Sequence, residues 1–358
     1  MIIIGDLAAP SKKHLSTIEE VLYKIGAGGD NSLVVNLEGL LSDEKHLNVK
    51  EPILYNCVEV VELLSKYNAK VVCLANNHTF DLVDKFDSTI QTLNDNNILI
   101  TGASRNKEKI FEPIKIVEKG VEVFIFNLCW DFLIYNQLNP SNGVYLSILE
   151  HNKLLKQVEK YKKNNPSSKI MVYLHWSIDL EILPFPMDRR FAKELIDKGV
   201  DLVIGAHSHC IQGGEKYKNG HIIYGLGNFY IPHNTFANGK VEYPEFANKE
   251  LVIDWDLINN SIECIWLDYK FNNSEHKLDI IGREKFESSD ILKKYSPFQN
   301  KTTSEYITYF KKNRRKKTLM PLFSNYTGIS YKLSLMYLKS RAKLARFLAK
   351  NNLLKWAK

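Results

Sequence analysis

KIMVYLHW, residues 169–176, is an apolar run that halts at a histidine followed by a tryptophan, and how that ending is understood decides the fold. A single His after a strand-like run is ordinarily a loop residue. Here several other apolar runs end in the same manner. MIIIGD closes on Asp6, LVVNLEG on Asn36 and Glu38, and VVCLANNH on Asn76, Asn77 and His78. DLVIGAHSH closes on His207 and His209, and IIYGLGNF on Asn228. Between the runs lie helix-compatible stretches at His14–Ile25, Val58–Tyr67, Lys85–Leu93, Leu149–Lys163 and Arg189–Lys198. That alternation predicts an α/β protein with a largely buried sheet. In such a sheet the carboxyl ends of parallel strands share one edge, where ligands bind, so polar groups far apart in sequence converge.

Three stretches depart from this pattern toward hairpins. PIKIVEKGVEVFIF places Lys119-Gly120 between two β-rich runs, and QGGEKYKNGHIIYG carries the turn signal Asn219-Gly220. ELVIDWDL and SIECIWLDY flank Asn259-Asn260. Antiparallel strands are therefore expected beside the parallel ones, in one mixed sheet or in two.

The chain has 358 residues, 44% of them hydrophobic, enough for one large domain with a sizeable core. Its five cysteines, Cys57, Cys73, Cys129, Cys210 and Cys264, form no C-x-x-C pair, which argues against a disulfide framework and for a reducing compartment. No signal-like segment precedes Ile2, and no window approaches the roughly 18 apolar residues of a membrane span. A cytoplasmic chain is expected, with the inner face of the membrane as a candidate peripheral location.

The net charge of +7 hides an asymmetry: residues 285–358 hold 18 Lys or Arg against the three acids Glu287, Asp290 and Glu305. An acidic body thus carries a basic end. The expected organisation is a domain over 1–270, a polar linker over 271–302 and a basic amphipathic helical tail over 303–358. At 100° per residue Lys332, Lys339, Lys343, Arg346 and Lys350 share a narrow arc, with Leu335, Leu338, Leu344, Phe347, Leu348 and Leu353 on other faces. Packing of the apolar side on the body is one expectation. The other is a helix lying on anionic lipid, helped by the basic run Arg314–Lys317. No recognised nucleic-acid motif accompanies the charge.

The chemistry of the converging set is specific. Carboxylates, an amide and imidazoles, without thiolates, are the mixed oxygen and nitrogen donors suited to divalent Mn, Fe or Zn. Two such ions sharing one carboxylate would clamp the oxygens of an in-line phosphoryl displacement. In an extended backbone His207 and His209 would point to opposite sides, so a bend is required for both to reach one cluster.

The ordered set Asp6, Glu38, Asn77-His78, His175 and His207-x-His209 resembles the calcineurin-like metallophosphoesterases. It is still more similar to the poly-gamma-glutamate capsule-synthesis (CapA-type) branch. The matching blocks are Gly5-Asp6, Asn36-Leu37-Glu38, Ala75-Asn76-Asn77-His78 with Asp81, His175-Trp176, Gly205-Ala206-His207-Ser208-His209 with Gln212, and Leu226-Gly227-Asn228-Phe229. The resemblance implies a four-layer, mixed-sheet α/β sandwich. It also implies two divalent ions, one held by Asp6, Glu38 and His209 with Glu38 bridging, the other by Asn77, His175 and His207. His78 would donate to the transition state or protonate the leaving oxygen, work suited to an imidazole.

Three positions depart from the pattern: Ala8 where the wider superfamily has a further ligand, Ser177 where the branch has Gly, and Asp179 where it has Glu. Asn36 and Asn76 are expected to hold loops through side-chain-to-backbone hydrogen bonds, with Asn36 and Asn228 also behind the ligands. Asp81 is either a partner that orients an imidazole or, the favoured choice, an N-cap. Arg189 and Arg190 are expected on a solvated helix face, with Arg189 a minority candidate for binding a substrate phosphate or carboxylate. Trp176 and Phe229 are expected to pack, and His14, His233 and His276 have no motif context.

The implied function is a metal-dependent, phosphoesterase-like hydrolase in biosynthesis or export of a bacterial capsule or surface polymer, acting on a polymer precursor or phosphoester. The alternative is a non-catalytic metal-binding partner in a surface-polymer assembly complex. A phosphodiesterase acting on nucleotides is a third, weaker possibility.

Overall fold

The computed structural model describes residues 1–44, 53–134, 142–236, 241–315 and 328–350. Its principal elements in chain order are β1 (Ile2–Leu7), α1 (Leu15–Lys24), β2 (Leu33–Leu37), α2 (Val60–Lys66), β3 (Ala69–Cys73), α3 (Phe86–Asp95) and β4 (Leu99–Thr101). There follow β5 (Ile114–Glu118), β6 (Val121–Cys129), α4 (His151–Asn164), β7 (Lys169–His175), α5 (Pro186–Asp197), β8 (Leu202–Ala206), β9 (Gly214–Tyr217), β10 (Gly220–Ile223) and β11 (Asn228–Tyr230). The last are β12 (Lys249–Asp256), β13 (Ser261–Asn272), β14 (Glu275–Lys285), α6 (Asp290–Tyr295), α7 (Thr303–Asn313) and α8 (Gly328–Lys350).

The strands form two main sheets. One has eight strands in the order β14-β13-β12-β1-β2-β3-β4, with β11 also pairing with β1; the other has six, in the order β9-β10-β8-β7-β6-β5. The alternation of side chains along each strand explains how they stack. Ile3, Val34 and Val71 from the first sheet meet Ile125, Met171, Tyr173 and Ile204 from the second in one fully buried interior. The opposite faces of the same strands carry the other apolar set. Ile2, Ile4, Val35 and Val72 pack on α1, α2 and α3 through Ile18, Val61 and Phe86. Phe124, Val172 and Leu174 pack on α4 and α5 through Leu154, Phe191 and Leu195. The result is helices, sheet, sheet, helices: the four-layer mixed sandwich that the resemblance implied.

Parallel pairing runs through β1-β2-β3-β4 and through β6-β7-β8-β10, and antiparallel strands add at the sides. The hairpins form as expected. β5 and β6 turn at Lys119-Gly120, both with positive φ (50° and 78°), and β12 and β13 are joined across Asn259-Asn260. In the β9-β10 hairpin Tyr217 pairs with Gly220, so the two turn residues are Lys218 and Asn219, one position earlier than the Asn-Gly signal suggests.

Residues 271–302 do not behave as a linker. They contain the end of β13 and all of β14, which pairs with β13 along its length, followed by α6. Their polarity has a structural cause: β14 is an edge strand, and its solvent side is lined with charged residues that discourage pairing with another chain. The first part of the tail is likewise built into the fold. α7 starts with a capping box between Thr302 and Glu305 and buries Tyr306 and Phe310 against the second sheet's helical layer.

α8 is helical as expected, but its faces divide differently from the sequence expectation. Leu338 and Ser334 are buried and Lys339 pairs with Asp131 at 2.6 Å, whereas Leu344 and Phe347 are exposed. Lys316, Lys317 and Leu353 lie outside the described residues, as do the side chains of Arg346 and Lys350. Among the described residues no helix is long and apolar enough to cross a membrane.

Candidate metal centre

The carboxyl ends of β1, β2, β3, β7 and β8 meet where the two sheets come together. β1 does the most to build the centre. Its first half pairs with β12 and its second half with β11, so that Asp6 lies in register with Asn36 on one side and Asn228 on the other. The changeover falls at Gly5, where a Cβ would overlap the backbone carbonyl oxygen of Gly227. Glycine at position 5 is thus what allows the two strands to approach.

Asp6, Glu38 and His175 each present a ligand atom within 4.8 Å of the others, and so do Glu38, His207 and His209. Glu38 belongs to both groups. The implied division of ligands is matched in part: His209 Nδ1 is 3.5 Å from Asp6 Oδ2, but His175 groups with Asp6 and Glu38. His175 Nε2 lies 2.7 Å from Asn77 Oδ1 and 3.4 Å from Glu38 Oε1, and its ring centroid is 4.9 Å from that of His207. All six expected ligands are therefore gathered. The bend required in HSH is present, since His207 and His209 both have positive φ, 84° and 50°.

Residues behind these candidate ligands fix their orientation. Asn36 donates to Asp6 Oδ1 at 2.6 Å, and the His207 backbone N–H donates to Asp6 Oδ2 at 3.1 Å. His209 Nδ1 is 2.7 Å from Asn228 Oδ1. Asn76 accepts from the His78 backbone N–H and donates to the Leu37 carbonyl, holding two strand ends together. Asp81 is not an N-cap. Its Oδ2 lies 2.6 Å from His78 Nδ1 and accepts from the Leu54 N–H at 3.0 Å, which leaves His78 Nε2 as the nitrogen outside that contact.

The electrostatics match a cation site. Glu38 is fully buried, and neither of its carboxylate oxygens has a hydrogen-bond partner among the described residues; His207 Nδ1 is in the same position. Burial, and then the neighbouring Asp6 and Asp81, pushes the Glu38 carboxyl well above its usual range, and burial raises Asp6. Burial and the surrounding imidazoles hold His175 and His207 well below the histidine range, in the neutral form that ligates metals. Unpartnered buried acceptors of this kind are costly unless something satisfies them. A divalent ion shared through Glu38 would do so, and the donor set fits it.

Arg189 stands elsewhere. It is buried, not on a solvated face, and binds the chain's own carboxylate: Nε and Nη2 donate to the two oxygens of Glu215 at 2.7 and 2.9 Å, with further bonds to the Phe298 and Lys301 carbonyls. Arg190 is exposed and pairs with Glu194. Trp176 and Phe229 are buried packing residues.

Two residues near the centre carry no motif signal. The Tyr243 ring lies 5.1 Å from the His209 ring, tilted 44° to it, and burial, then Glu38, Asp179 and Asp6, raises its phenol well above the usual range. Glu250 on β12 is buried with Oε2 unpartnered beside Gly227, and burial followed by Asp6 raises it. An acid inside the apolar strand KELVIDWD was the available signal for Glu250. Tyr243 offered none.

An α/β sandwich with a buried carboxylate-amide-imidazole centre at the joined strand ends is the class these features define. The model of the bacterial capsule synthesis protein PGA_cap family matches residues 6–233, and the chain belongs to that family. It is 29% identical over 215 residues to the capsule biosynthesis protein CapA of Bacillus anthracis, covering 58% of this chain and 50% of that one. It is 25% identical over 182 residues to the PGA biosynthesis protein CapA of Bacillus subtilis (strain 168), covering 50% of this chain and 47% of that one. The chain thus spans about half the length of these curated relatives. Among solved structures, a putative 5'-nucleotidase from Staphylococcus aureus aligns with TM-score 0.42 and 13% identity, covering 79% of this chain and 53% of that one.

Proposed function

We propose that the chain is a metal-dependent hydrolase of phosphoesters serving the synthesis or export of a capsule or other surface polymer. The observation that carries this is Glu38, a buried carboxylate whose two unpartnered oxygens lie between two groups of imidazole and carboxylate donors. Divalent ions held there would supply Lewis acidity toward phosphoryl oxygens. Asp6, Asn77, His175, His207 and His209 would orient that charge. Asn36 and Asn228 would keep two of these ligands in place. His78, aimed by Asp81, would hold the proton passed to the leaving oxygen.

The test is metal content together with hydrolysis of an aryl phosphate monoester and diester in Mn, Fe and Zn. Metal-dependent turnover lost in Glu38→Ala and His175→Ala, and sharply reduced in His78→Ala with metal retained, is expected. Bound metal without turnover would favour a non-catalytic partner of a polymer-assembly complex. Ala8, fully buried in an apolar cluster and offering no ligand, is the observation on that side.

The exposed side of α8 supports the membrane reading. Ile329, Leu333, Met336, Tyr337 and Leu344 are exposed by 49 to 75%, and at 100° per residue they share an arc of about 100°. The exposed Lys332 and Lys343 run along one side of it. An apolar stripe bordered by lysines suits an anionic lipid surface. Binding to phosphatidylglycerol vesicles, weakened by salt and lost in Leu333→Asp/Leu344→Asp with the fold intact, is expected. Equal binding to neutral vesicles, or none to anionic ones, would defeat this.

A further inference from the structure

The residues packed around Ala8 are apolar. Ala8, Leu54, Tyr55, Leu82, Ile231 and Phe236 form a small buried cluster, and Tyr243 packs against it. This tyrosine is held in place from several directions. Its ring lies 5.1 Å from that of His209 and 5.8 Å from that of His233, and two residues before it the Val241 carbonyl accepts from the Asn234 N–H at 2.9 Å. Three residues on, Phe246 is covered by the Arg315 guanidinium at 3.7 Å, while the Arg315 backbone N–H donates to Glu181 Oε1 at 3.1 Å. Arg315 therefore ties the Tyr243 loop to the loop that follows His175. The segment after α7 thus braces two walls of the centre.

We propose that Tyr243 is a substrate-binding residue of this centre, its hydroxyl donating a hydrogen bond to an oxygen of a phosphoryl group bound beside His209. The tyrosine ring is anchored and its phenol is a neutral donor at physiological pH. Among the described residues it is also the hydroxyl-bearing aromatic ring that packs on a candidate ligand histidine of the centre. An anchored donor acts without reorganisation when negative charge gathers on the oxygen it meets.

This rests on the phosphoester reading, and the test separates the two. Calorimetry would measure first the affinity of the protein for Mn, then that of the Mn-loaded protein for inorganic phosphate, in wild type and Tyr243→Phe. The Phe variant keeps the ring against His209 and removes only the hydroxyl. Unchanged Mn affinity and melting temperature, with phosphate binding weakened about tenfold, are expected. Equal phosphate affinity in the two proteins, a parallel fall in Mn affinity, or no phosphate binding by wild type would each overturn the assignment. Phosphate binding weakened in Tyr243→Phe, with no turnover of any phosphoester by wild type, would uphold it and remove the hydrolase reading instead.

Discussion

Gly5 and Gly227 touch across the boundary between β1 and β11: a Cβ at position 5 would overlap the carbonyl oxygen of Gly227. This contact sets the register that puts Asp6 beside Asn228. Gly5→Ala must push the two backbones apart in a core where nothing is free to yield. The expected cost is about 1–3 kcal/mol, read by chemical denaturation, together with reduced metal content. A variant as stable as wild type with full metal would show that the contact does not govern the centre.

Glu38→Gln should act with opposite signs in the two states of the protein. Without metal, the buried carboxyl has no hydrogen-bond partner among the described residues and only a neutral imidazole, His175, at 3.4 Å, so the amide should leave stability unchanged or raise it. With metal at about 100 times its dissociation constant, wild type should gain about 2.7 kcal/mol, and the variant should gain little. Thermal melts with and without Mn compare the two directly.

Arg189→Met tests whether that arginine serves the fold or the substrate. It would leave Glu215 buried, with Lys193 at 3.2 Å and Tyr224 as remaining partners. Losing half of a buried pair costs about 3–5 kcal/mol, with Lys193 moving the result toward the lower figure. Metal content and phosphate affinity should not change in the folded fraction. A stable variant with weakened phosphate binding would restore Arg189 as a substrate ligand.

Phe310→Ala asks the same of α7. Phe310 is fully buried against Phe185 and Tyr306, and its truncation should cost about 3–5 kcal/mol in urea denaturation. A detachable tail would show no such loss.

Acid sensitivity should come partly from a cluster without motif context. His14 lies 2.9 Å from the Tyr230 hydroxyl, His276 lies 2.6 Å from that of Tyr269, and the two imidazole rings are 5.1 Å apart. Burial, then His276 and Lys13, lowers His14 to about 3; burial, then Lys13 and His233, lowers His276 to about 4. The unfolded chain takes up these protons near pH 6.5, about the ordinary histidine value. The stability from the neutral rings is therefore complete above that pH and is lost as pH falls toward 4 and 3. The raised Asp6 and Glu38 carboxyls slope the other way, so the comparison must be with His14→Gln, whose stability should fall less steeply between pH 7 and 4. Parallel curves would remove His14 from the account.

The alternation of apolar runs and amphipathic stretches, and the polar residue at the end of each run, belonged to the sequence alone. They were enough for an α/β fold and for a converging set of strand-end donors, because strand periodicity and strand-end chemistry are local properties; the four layers and the choice of six residues from that set came from the family resemblance. Residues 271–302 were misjudged since an edge strand is as polar as a linker; only its pairing with β13 distinguishes them. The same limit applied to Arg189, whose partner Glu215 lies on another element, and to Tyr243 and Glu250, which reach the centre from segments with no motif. The grouping of candidate ligands around Glu38 and the link that Arg315 makes between Phe246 and Glu181 were decided by tertiary structure alone. Each depends on distances between chain segments that no local pattern encodes, and in a close-packed interior those distances follow from how the layers fit together.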